Sequence, residues 1–121
     1  MLPIYDEYLL PKWQKLHSSG KLTPPNRTEL AIKITTTSRG LDDARAECFG
    51  AFADAIMLHY KYSIDKNMPP PFVYSTKHIN KGVGLTGNLE KMPDKLVQIL
   101  TIFVDDYTAE PIALPEKYLS S

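Results

Sequence analysis

The chain has 121 residues, with 14 Lys/Arg against 14 Asp/Glu, 43% hydrophobic and 23% charged residues, and one cysteine. That length suits one domain, residues 1–121. The composition is that of a folded globular protein rather than a disordered chain, and the charge balance lacks the basic footprint of a nonspecific nucleic-acid binder. Cys48 cannot close an intrachain disulfide, no window approaches the ~18 apolar residues of a membrane span, and no basic start precedes an apolar run, so the sequence predicts a cytoplasmic protein with no membrane partner.

Residues 5 to 17 (YDEYLLPKWQKLH) place Tyr5, Tyr8, Leu9, Trp13 and Leu16 near one helical face, with Gly20 as a stop. Proline suits a first turn and damages a helix interior, so Pro11 predicts a regular stretch from Pro11 to His17 preceded by a separate turn. Asn26-Arg27-Thr28 matches a glycosylation acceptor only formally, since no secretion signal accompanies it.

Residues 24 to 40 carry two competing signals. Asn26 followed by Glu29 resembles a helix-start capping box, and Gly40 suits a C-terminal stop. Against these, Leu30, Ile32, Ile34 and Thr36 alternate with Ala31, Lys33 and Thr35, which is strand chemistry. The alternation decides for a strand over 28–38, with a helix as the alternative.

Leu41 to Ile64 (LDDARAECFGAFADAIMLHYKYSI) has no proline and predicts a buried central helix. Asp43, Glu47, Gly50, Asp54 and Lys61 recur at helical spacing as its polar stripe, while Cys48, Phe49, Phe52, Ile56 and Tyr60 cover the rest. Gly50, Ala51, Ala53 and Ala55 would let another helix approach closely, within the chain or across a dimer. Residues 65–71 end in three prolines and predict an extended loop, 72–79 (FVYSTKHI) a short strand, and 80–88 a glycine-rich loop. A second helix is expected near 93–107, with Leu96, Ile99, Leu100, Phe103 and Tyr107 on one face and Asp94, Gln98, Thr101 and Asp105 opposite. From about 109 an extended tail is expected. The predicted fold class is α+β: a helix-dominated compact domain with two or three short strands.

Two candidate sites follow from residue chemistry. The first is the 75–88 loop, in which Lys77, His78, Asn80, Lys81, Gly82, Gly84 and Thr86 combine positive charge, hydrogen-bonding groups and accessible backbone amides suited to a nucleotide or other phosphate compound. It is no Walker A motif, and Gly82-x-Gly84-x-x-Gly87 lacks the βαβ setting of a dinucleotide fingerprint. The competing reading is a flexible connector. The second is an aromatic patch of Tyr5, Tyr8 and Trp13, a protein-binding surface if exposed and core packing if not.

Other groups carry less. His17, His59 and His78 have no metal-ligand spacing, so no metal or cofactor is expected. Cys48, mid-helix beside Phe49, reads as core rather than nucleophile. Asp42-Asp43 suits a helix start, whereas Asp105-Asp106 sits near a helix end and reads as a solvated, partner-facing surface. With no catalytic signature, the expected function is a small non-enzymatic binding or inhibitory protein acting on a protein partner, of the kind phages and mobile elements use as accessory proteins. The alternative is the phosphate-ligand module, and a homo-oligomer is open in either case.

Overall fold

The computed structural model describes residues 2–64 and 92–119, and among these all regular secondary structure is helical, with no strand. A π-helical segment, Ile4–Leu9, runs without a break into α1 (Leu10–Ser18). It is followed by α2 (Arg27–Gly40), α3 (Asp43–Ser63), α4 (Asp94–Thr108) and a single turn, α5 (Glu116–Leu119). The α+β expectation is therefore corrected to all-α among the described residues, while the strand expected over 72–79 lies outside them.

The segment expected as a strand over 28–38 is the correction with the clearest cause. Asn26 takes an extended backbone and its Oδ1 accepts from the Glu29 amide at 2.9 Å, so the N-cap half of the expected capping box starts α2, while the Glu29 carboxylate lies 3.2 Å from Lys33 Nζ. Leu30, Ile34 and Ser38 then face the core at helical spacing, while Ile32, the middle member of the apparent alternation, is 61% exposed. Ile and Thr tolerate either conformation. The cap and a burial repeat of four residues outweigh their intrinsic preference for strands.

Pro11 does not interrupt the N-terminal helix. Leu10 N–H reaches back five residues to Tyr5 O, and this wider turn meets α1 where Pro11 occupies the first turn, the position at which a missing N–H costs least. The separate turn expected over residues 5–10 is thus the π-helical start of one continuous helix. Ile4, Tyr5 and Leu9 from this segment are buried.

The most enclosed element is α4, not the 41–64 helix expected at the centre. Leu96, Val97, Ile99, Leu100, Ile102, Phe103 and Val104 are all buried, and α4 packs against the π-helical segment, α1, α2 and α3. Cross-helix pairs give the directions. Arg27 with Asp94 and Lys33 with Asp105 set α2 parallel to α4. Tyr8 with Asp106 and Trp13 with Gln98 set α1 antiparallel to it. Phe49 stacks on Phe103 at 5.5 Å and tilts against Tyr107 at 5.0 Å, while Phe52 meets Phe103 at 6.3 Å, which sets α3 antiparallel. The result is an up-down-up-down helical array. Beyond Thr108, Leu114 is buried, the Ala113 amide donates to Asp106 O, and Tyr118 lies against Tyr8.

Helix α3 itself matches its expected span, with Asp42 capping it by accepting from the Arg45 amide at 2.9 Å. Its orientation departs from expectation. Phe49 and Ile56 are buried and Phe52 packs half-buried against the core, but Gly50 of the expected polar stripe is buried, Asp54 is half-buried, and Cys48 is exposed. The placement of Cys48 in the core is corrected. The core face of α3 is Ala46, Phe49, Gly50, Ala53, Ile56, Met57 and Tyr60, and Cys48 sits on the opposite side.

Candidate functional site

The aromatic residues singled out near the N-terminus are committed to the fold. Tyr5 is 0% exposed and its ring lies 4.6 Å from that of His59 at a tilt of 56°, and His59 Nε2 lies 3.2 Å from Asp6 Oδ1. Burial, followed by the charges of Tyr60 and Asp6, pushes the Tyr5 phenol up to about 12. Trp13 is half-buried, donates from Nε1 to Gln98 Oε1, stacks on His17 and lies beneath the Lys95 ammonium at 4.6 Å. Tyr8 donates to Asp106 Oδ2 at 2.6 Å, and burial and that bond raise its phenol to about 12. The structure brings Tyr5 and Tyr8 onto the interior side of the π-helical segment, and Trp13 against α4.

Asp106 also accepts from Lys12 Nζ at 2.6 Å on the same oxygen, and its neighbour Asp105 pairs with Lys33 at 2.8 Å. Lys33 is correspondingly held above its usual range, chiefly by its hydrogen bond to Asp105. Two carboxylates near the negative end of α4 are unfavourable alone. Here each has a lysine from a neighbouring helix, so the pair clamps α1 and α2 onto α4; Asp105 keeps the solvent exposure expected of it, whereas Asp106 is buried.

Between α1, α2 and α4 lie two adjoining clefts of about 150 and 230 Å³ that share Thr23, Pro24, Thr101 and Asp105. Each is smaller than the roughly 300 Å³ at which ligand pockets begin. The lysines at their edges, Lys12 and Lys33, already hold carboxylates. Among the described residues no group of three or more His, Cys, Asp or Glu could hold a metal ion. Lys77, His78, Asn80, Lys81, Gly82, Gly84 and Thr86 lie outside the described residues, as does the phosphate site they were expected to form.

The outward face of α3 is the surface that sequence reasoning missed. Ala44, Cys48, Ala51, Leu58 and Tyr62 are exposed, with Ala55 half-buried between them, and Tyr62 and Leu58 reach 64% and 39% exposure. These residues recur every three and four positions, so they share one face over about five turns, with no charge on it. A helix flanked by solvent ordinarily presents charged residues there. Asp43, Glu47, Asp54 and Lys61 instead run along one flank. The signal in the sequence was the near absence of an amphipathic contrast in α3, since an apolar core face and an apolar outer face leave charges only at the flanks.

One of those flanking groups is electrostatically unusual. Asp54 has a buried Oδ1 with no hydrogen-bond partner among the described residues, and burial raises its carboxyl from 3.8 to about 7. Among the described residues no helix is long and apolar enough to cross a membrane, so the outer face of α3 is not a membrane span. Compared with known proteins, the chain matches no family model, no curated protein and no solved structure.

Proposed function

We propose that the protein is a small non-enzymatic binding protein that works by protein–protein contact, with the outward face of α3 as its contact surface. The observation that carries this reading is the uncharged row Ala44, Cys48, Ala51, Ala55, Leu58 and Tyr62, which leaves apolar and aromatic area exposed, with the Lys61 ammonium 5.9 Å from the Tyr62 ring centre at its edge. Tyrosine at the end of such a row buries much area while keeping a hydroxyl for hydrogen bonding, the usual chemistry of interface anchors. The narrow clefts beside α4 and the lysines already engaged there favour this surface over a small-ligand site.

A photoreactive side chain introduced at Tyr62 tests the reading in cells of the native host, with the same group at exposed Lys15 of α1 as control. Discrete protein adducts from position 62 and none from position 15 are expected. Adducts from neither position, or equally from both, would remove α3 as the contact surface, and turnover of a substrate in an unbiased hydrolase screen would remove the non-enzymatic reading.

A further inference from the structure

The row on α3 has a pattern that specifies its occupant. Its members follow one another at intervals of four, three, four, three and four residues, the 3.5-residue repeat of a two-helix seam. The small members, Ala44, Cys48 and Ala51, fill the N-terminal half, while the large ones, Leu58 and Tyr62, lie in the C-terminal half. We infer that this face pairs with a second copy of the chain, α3 antiparallel to α3, in a register centred on Ala53. The inference rests on the reading of α3 as the contact surface and names the partner.

In that register Ala44 faces Tyr62 of the second copy, Cys48 faces Leu58, and Ala51 faces Ala55. Each large side chain meets a small one, which is how facing helices interdigitate without voids. The parallel alternative sets Tyr62 on Tyr62 and Ala44 on Ala44, so the helices would be forced apart at one end and leave a gap at the other.

Charge is compatible with the antiparallel direction. Asp43 and Glu47 lie on the flank that also carries Lys61, two turns or more from it along the helix. Antiparallel pairing brings Lys61 of one copy within about one turn of Asp43 and Glu47 of the other, at both ends of the seam. Parallel pairing would set this flank against the opposite one, which carries exposed Arg45, so charge admits either direction and the pattern of large and small side chains decides between them. Antiparallel packing also opposes the two helix dipoles. Asp54 is the one opposing feature, since it flanks the midpoint and there meets its own counterpart.

Twenty-one residues make α3 about 32 Å long, so a single-helix seam buries less than the roughly 1,200 Å² of a standard stable interface, and the association is weak. The test uses the full chain at about 1 mM, where a weak dimer is populated. Sedimentation of the wild type is expected to show dimer, and Tyr62→Glu, at a 64% exposed position that the fold tolerates, is expected to be monomeric. Asp54→Asn is expected to tighten the dimer.

Register is read by disulfide trapping. Cys48 and its own counterpart stand about 15 Å apart in the antiparallel register, beyond the ~7 Å a disulfide spans. Mild oxidation should therefore leave the wild type uncrosslinked and convert Leu58→Cys, which retains Cys48, into a covalent dimer. The double variant Leu58→Cys, Cys48→Ser should revert to monomer. A wild type that is monomeric at this concentration, that crosslinks through Cys48 alone, or whose self-association survives Tyr62→Glu overturns the inference. A monomer that still yields position-62 adducts with a different protein in host cells overturns it while leaving the protein-binding reading intact. Failure of both experiments removes both.

Discussion

Asp54→Asn is expected to stabilise the monomer, and only above acid pH. Burial raises the native carboxyl to about 7 against an ordinary value of 3.8, and its Oδ1 has no hydrogen-bond partner among the described residues. The native protein therefore keeps this proton up to about pH 7, while the unfolded chain loses it near 4. Between these values the native state binds more protons than the unfolded state, so stability falls as pH rises, and the whole penalty is present above pH 7. Complete linkage would make it about 4 kcal/mol. The side chain is only half-buried and retains some hydration, so about 2 kcal/mol is expected. Asparagine has the same shape and no charge to desolvate. Its advantage over wild type should be near zero at pH 4 and correspond to about 8 °C in Tm at pH 8 for a chain of this length. Paired thermal melts at micromolar concentration, where self-association is negligible, isolate this group because every other titration is common to both proteins. An equal difference at pH 4 and pH 8, or an asparagine variant less stable at pH 8, would refute the reasoning.

Three further outcomes follow from the packing. Lys12→Met leaves the buried Asp106 carboxylate with only the Tyr8 hydroxyl, and urea titration should show a loss of about 1–3 kcal/mol. Asn26→Ala removes the cap of α2 and should cost about 1 kcal/mol without changing the denaturant slope, whereas a strand in this segment would be indifferent to it. Phe103→Ala empties the site where Phe49, Phe52 and Tyr107 converge and should cost about 3–5 kcal/mol, with Phe52→Ala costing less because Phe52 is half-buried.

The long helices were legible where one face alone was apolar or where a cap was unambiguous. Asp42 and Pro93 mark the starts of α3 and α4, and both spans agree with the structure to within about two residues. In α2 the period was misread because Leu30, Ile32 and Ile34 fit an alternation as well as a helix, and only burial distinguishes Ile32 from its neighbours. Cys48 was misplaced for a related reason: the charges of α3 lie on a flank, so reading them as the solvent face rotated the helix and hid the apolar row. The aromatic residues of the N-terminal segment have the chemistry of a binding patch, and nothing local in the sequence reveals that His59 and Asp106, distant along the chain, occupy Tyr5 and Tyr8.

The most direct test of the outer face of α3 as a contact surface is the alkylation rate of Cys48 in the native protein, measured against concentration. At about 1 μM the thiol should react nearly as fast as in the unfolded chain, and at about 1 mM the rate should fall several-fold as the seam becomes occupied. A thiol protected even in dilute native protein, or one whose rate is the same at both concentrations and unchanged by added host extract, would contradict the account.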